Sequence, residues 1–166
     1  MTERAVLNGI DVSDILVYQA IHPGLHTSGQ PTAEQFASIR AAGVDVVVNV
    51  ALTNASNGLI HQGLFEDRIV LDLGMDYVHL PLVWDQPSAA QAFTVLKYIH
   101  HLQGQTVWLH CAKNMRVSCL MYLYRLHWLG YSIDEAQPYL HHIWEPNATW
   151  TGLMNAVAMQ IQADYP

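Results

Sequence analysis

One short stretch, His110-Cys-Ala-Lys-Asn-Met-Arg-Val-Ser118, gathers the side chains best suited to covalent chemistry. Cys111 follows an apolar run that reads as a strand and precedes one that reads as a helix. A thiol at such a junction meets unpaired backbone N–H groups and the positive end of the helix dipole, which together favour the thiolate. Lys113 and Arg116, two of only seven basic residues, add cationic charge within five positions. A phosphate brought there would find the same donors. The chemistry implied is attack by Cys111 on phosphorus, giving a thiophosphate that water later hydrolyses. Arg116 would pair with the equatorial oxygens through its forked guanidinium. The plainer reading is a small buried Cys beside a solvated loop.

Such a reaction needs an acid for the leaving oxygen. Asp85, in the Pro-bounded segment Pro81-Leu-Val-Trp-Asp-Gln-Pro87, is the first choice, with Asp76 and Asp72 behind it; its plainer role is a turn carboxylate. Ten histidines invite a metal reading, but the pairs His100-His101 and His141-His142 are adjacent. Neighbours on a helix point about 100° apart, so no metal site is expected. His110 is read as orienting the Cys loop through hydrogen bonds. Cys119 is read as a core residue, with a resolving thiol as the alternative. Trp144 and Trp150 are read as packing a terminal helix onto the core.

The elements that must position these groups alternate. Residues 1–20 carry little signal and are left irregular. His26-Thr-Ser-Gly-Gln-Pro-Thr32 reads as a short strand and turn, and Thr32 with Gln35 forms a capping box for a helix ending before Gly43. Val44-Asp-Val-Val-Val-Asn-Val50 is a β-branched run that predicts a buried strand. A helix is expected over 63–73, a strand over 75–80, a helix capped by Ser88 and stopped by Gly104, and a strand over 105–110. An almost wholly apolar helix over 117–129 stops at Gly130. Two helices follow, one over 133–143 with a kink or a break near Gln137 imposed by Pro138, and one from Thr149 onward. This order predicts an α/β domain with a mostly parallel sheet flanked by helices.

Composition narrows the partners. With 166 residues, of which 51% are hydrophobic and 13% charged, the chain fits one domain over 1–166. A formal charge of −7 argues against nucleic acid, and no apolar run reaches the roughly 20 residues of a membrane span. Two cysteines make no disulfide framework, and Met1-Thr-Glu-Arg-Ala-Val-Leu7 lacks a signal core, so a reduced, cytoplasmic protein is expected.

His-Cys followed by a short loop, Arg and Ser resembles the signature of the cysteine-dependent protein tyrosine phosphatase superfamily. Four segments sharpen the likeness: Ser28-Gly-Gln-Pro-Thr-Ala-Glu-Gln-Phe36, Ala42-Gly-Val-Asp-Val-Val-Val-Asn-Val50, Tyr77-Val-His-Leu-Pro-Leu-Val83 and the 110–118 block. In this order they resemble the bacterial phosphatase-like family DUF442 over roughly residues 24–150. The resemblance implies a dual-specificity-phosphatase-like domain acting without metal or cofactor. Cys111 would be the nucleophile, and the backbone of Ala112, Lys113, Asn114, Met115 and Arg116 the phosphate cradle. The superfamily pattern has five residues between Cys and Arg, whereas Ala-Lys-Asn-Met makes four here. Val117 occupies the usual Arg position, Ser118 keeps the usual Ser or Thr position, and Asn114 stands where a Gly is common. A shift of one residue at a helix start turns a side chain by about a third of a revolution. Either the loop adjusts so that Arg116 reaches, or Lys113 supplies the charge, or the domain binds an anion without cleaving it.

The functions left by this reading are a phosphatase acting on a phosphorylated protein or small phosphate ester, a phosphate-binding regulatory module, and a rhodanese-like sulfurtransferase carrying persulfide on Cys111.

Overall fold

The computed structural model describes residues 5–165. Residues 1–4, part of the start read above for a leader, lie outside the described residues. The strands are β1 (Val6–Leu7), β2 (Ile10–Asp11), β3 (Gln19–His22), β4 (Leu25–Ser28), β5 (Val46–Asn49), β6 (Asp76–His79) and β7 (Val107–His110). The helices are α1 (Ala33–Ala41), α2 (Glu66–Asp72), α3 (Ala89–His101), α4 (Met115–His127), α5 (Ile133–Ile143) and α6 (Ala148–Asp164). β1 and β2 form a small antiparallel ribbon. The other five strands make one sheet in the order β3-β4-β7-β5-β6, parallel at every pairing except β3 with β4. The fold is the expected mostly parallel α/β sheet flanked by helices.

Period-two alternation explains how one β-branched run serves two cores. Val46 and Val48 of β5, with Val107 and Leu109 of β7, face a core that includes residues of α3, α4, α5 and α6. Val47 and Trp108 point the other way, to Phe36 and Ile39 of α1 and Val70 of α2. A strand buried on both faces has no polar side to show, hence the unbroken apolar text of 46–48. Burying each such valine contributes roughly 1.5–3 kcal/mol.

Three expectations change. The irregular lead-in holds β1, β2 and the first half of β3, strands too short or too mixed to announce themselves. The helix expected over 63–73 begins later, at Glu66, because Gly63 is left-handed (φ 74°) and ends a separate 3-10 turn at Leu59–Gln62. Pro138 lies inside an unbroken α5. It sits on the exposed face, where water can take the carbonyl that its missing N–H leaves free. Among the described residues no helix is long and apolar enough to cross a membrane.

Candidate active site

β4, β5 and β7 end level with one another, Ser28 and Asn49 both pairing with His110. Cys111 therefore emerges at the carboxyl edge of the sheet, where open α/β sheets place their ligand sites. It is fully buried, at the floor of a cavity of about 410 Å³. Leu52, Asn54, Ala55, Ser56, Trp84, Ala112, Lys113, Met115 and Arg116 complete the lining. Arg116 and Cys111 thus face one space although four residues separate them. Lys113 is exposed at the rim.

The loop owes its shape to Asn114. Its backbone is left-handed (φ 63°, ψ 5°), a conformation Asn tolerates better than most residues, and it forms the N-cap of α4. Its side chain makes no cap bond. Instead Nδ2 donates inward to the Val17 carbonyl (2.9 Å) and to Thr27 Oγ1 (3.2 Å). The first N–H groups of α4 have no intrahelical acceptor and no side-chain cap, leaving them available to an anion. The Ala112 carbonyl, in turn, is held from outside by the Gln30 N–H (3.0 Å) and Asn57 Nδ2 (2.8 Å). Gly29 permits this closeness: a Cβ there would meet the Ala112 oxygen at 2.7 Å.

Arg116 is 6% exposed, and its Nη1 donates to the Leu82 carbonyl at 2.9 Å. Its guanidinium carbon lies 5.9 Å from the centre of the Trp84 ring. Val117, at the superfamily's usual Arg position, is fully buried in the core. Restoring the common spacing through Val117→Arg would bury a charge in that core.

Asp85 is exposed on the segment between β6 and α3 and does not line the cavity, though its neighbour Trp84 does. Trp84 is fixed from behind. Its ring lies 5.4 Å from Trp144 and 5.9 Å from Trp150, and its carbonyl accepts from Trp150 Nε1 at 2.9 Å. Ser118 is buried, donating to the Met115 carbonyl (2.9 Å) and accepting from Trp144 Nε1 (3.1 Å). Cys119 is buried in the core, and burial pushes its thiol up to about 12. Among the described residues no three His, Cys, Asp or Glu side chains gather to hold a metal.

His110 is fully buried, with Nδ1 at 3.1 Å from the Cys111 carbonyl and Nε2 at 2.8 Å from Glu66 Oε2. Sequence reasoning missed Glu66. It stands 44 positions from His110 at the start of a short helix, and nothing local marks it. Asn54, Ser56 and Trp84 were also missed as cavity residues, because only tertiary packing brings their loops over Cys111.

No family profile matches the chain, and no curated protein matches it. Solved structures do. One is a phosphatase-like protein of family DUF442 from Shewanella putrefaciens CN-32, with 27% identity over 90% of this chain and 96% of that one and a TM-score of 0.76. Over nearly its whole length the chain is similar to this DUF442 phosphatase-like protein. More distant relatives share the fold of this DUF442-like chain. PTPMT1, solved in complex with PI(5)P, aligns at 14% identity over 90% of this chain and 99% of its own, TM-score 0.73. TpbA of P. aeruginosa, solved as a C132S variant with pTyr, aligns at 18% over 93% and 94%, TM-score 0.63.

Proposed function

We propose that the chain is a cysteine-dependent phosphatase, a single domain hydrolysing phosphate monoesters of proteins or small molecules through a cysteinyl-phosphate. The observation that carries this reading is the shared cavity of Cys111 and Arg116, set against the uncapped start of α4. Cys111 Sγ attacks phosphorus and the ester oxygen departs with a proton from Asp85. Water, giving its proton to the Asp85 carboxylate, then attacks phosphorus, so that the Sγ–P bond breaks and phosphate and the Cys111 thiolate are released. The backbone N–H groups of residues 112–116 and the free donors of Arg116 bind the equatorial oxygens, where charge accumulates. Lys113 draws the anionic substrate in from the rim. His110 steadies the Cys111 carbonyl, and Ser118 braces the first turn of α4. The ligands in the PTPMT1 and TpbA structures, a phosphoinositide and a phosphotyrosine, share the monoester chemistry read here. Both cysteines are free, in keeping with a reducing bacterial cytoplasm.

The exposure of Asp85 outside the cavity lining favours a second reading, a phosphate-binding module without turnover. Hydrolysis of p-nitrophenyl phosphate separates the two. The phosphatase reading expects turnover that withstands chelator, is abolished in Cys111→Ser, and passes through a trappable phosphoenzyme. Turnover retained in Cys111→Ser refutes the covalent mechanism, and tight phosphate binding without hydrolysis moves the protein to the second reading. Sulfur transfer from thiosulfate to cyanide in place of phosphate release would make it a sulfurtransferase.

A further inference from the structure

Beside the catalytic cavity, and sharing only Leu52 with it, a cavity of about 350 Å³ is lined by Gln30, Asn49, Glu66, Tyr77 and His79 among others. The Glu66 side chain is only 10% exposed, and each of its oxygens is engaged. Oε1 accepts from Gln30 Nε2 at 2.6 Å, and Oε2 accepts from the Tyr77 hydroxyl at 2.9 Å and faces His110 Nε2 at 2.8 Å. The Tyr77 hydroxyl itself accepts from Asn49 Nδ2 at 3.1 Å, so its proton is committed to Glu66. Burial pushes the Glu66 carboxyl up, but His110, Gln30 and Tyr77 outweigh it and hold the group below its ordinary value.

Glu66 is therefore a carboxylate, an acceptor only. The Cys111 carbonyl on the other side of the His110 ring is also an acceptor only. Both contacts are hydrogen bonds only if the ring carries both protons. The groups facing the pair from the elements around it are Gln30 after β4, Asn49 of β5, and Tyr77 and His79 of β6. Phe36 of α1 meets the His110 ring edge-on at 6.1 Å, and Asp67, next along α2, is exposed. His79 Nε2 is occupied by the Ala51 carbonyl at 2.7 Å.

We propose that Glu66 is a positioning residue that holds His110 as a buried imidazolium directly behind Cys111. The positive ring fixes the Cys111 carbonyl through Nδ1–H and favours negative charge on Sγ. The consequence for Sγ rests on the reading of Cys111 as nucleophile. The pair itself does not. Gln30 couples it to the loop a second time, since its backbone N–H holds the Ala112 carbonyl while its side chain holds Glu66.

Two measurements on the full chain test this without any phosphate ester, so failure of the phosphatase reading would leave both interpretable. Nitrogen NMR of labelled histidine at neutral pH should show His110 protonated on both ring nitrogens. In Glu66→Gln the amide can donate to Nε2, so the ring should keep only Nδ1–H. Iodoacetamide alkylation of Cys111 at pH 6, mapped by peptide mass spectrometry, should be about tenfold slower in Glu66→Gln, a typical effect of removing a nearby charge. A bare nitrogen on His110 in the native protein overturns the proposal, and that result needs no variant to fold. Equal alkylation rates in native protein and a folded Glu66→Gln overturn it as well.

Discussion

Arg116→Lys separates charge from geometry. In the native site Nη1 is occupied by the Leu82 carbonyl at 2.9 Å, which leaves the remaining guanidinium donors for an oxyanion above Cys111. A lysine ammonium keeps the charge but gathers its donors on one atom, so it cannot hold Leu82 and span two phosphate oxygens at once. Losing one well-placed donor to transition-state charge costs about 3–4 kcal/mol, a fall in kcat of roughly 10²–10³. The fold is also affected: a Leu82 carbonyl left unpaired costs about 1–3 kcal/mol. The assay is steady-state hydrolysis of p-nitrophenyl phosphate with kcat and KM resolved, alongside thermal melts that correct for folded fraction. The expected signature is a large fall in kcat with KM changed little, as for an interaction made mainly in the transition state. A kcat within about threefold of native on folded protein would refute the assignment of Arg116 to the phosphate and leave Lys113 as the cation.

Asn114→Ala should destabilise by about 2–4 kcal/mol, combining the left-handed backbone with two lost side-chain bonds, whereas Asn114→Gly should lose roughly half as much. Equal losses in urea titrations would show that the backbone angle carries no cost. Asp85→Asn should slow hydrolysis of an alkyl phosphate far more than that of p-nitrophenyl phosphate, whose leaving group needs little protonation. Equal slowing would make Asp85 a positional residue. Stability should fall on the acid side in two stages. His26, held neutral by burial below its ordinary 6.5, leaves the unfolded chain binding more protons once the pH drops under that value. Glu66, held below its ordinary 4.5, contributes stability that is complete above that pH and lost as the pH falls through its folded value. Urea midpoints measured against pH should show both stages, and Glu66→Gln should flatten the lower one. An unchanged lower branch would deny Glu66 that role.

What could be read from sequence was local. Thr32 with Gln35 forms its capping box, Ser88 caps α3, and Gly43, Gly104 and Gly130 adopt positive φ where helices stop. Each rests on contacts within a few residues, so one-dimensional text contains the whole interaction. The β-branched run 44–50 and the strand ending in His110 likewise followed from burial on both sheet faces, and with the phosphatase-like segments they sufficed for the fold. The direction of Arg116 was not legible, because it depends on Leu82 and Trp84 arriving from another segment and on Val117 being claimed by the core. Ser118 had a familiar place relative to Cys111, yet its hydroxyl partners are Met115 and the distant Trp144. Glu66 was invisible for the same reason: 44 positions separate it from His110, and only the parallel stacking of β5, β6 and β7 brings the two side chains within 2.8 Å. Sequence determined most of the elements, which follow from periodicity and local hydrogen bonds, and marked Cys111 as the candidate nucleophile by its place between a strand and a helix. Tertiary structure decided which charges surround that thiol, because electrostatic contact depends on distance in space, and distance in space is set by the packed sheet.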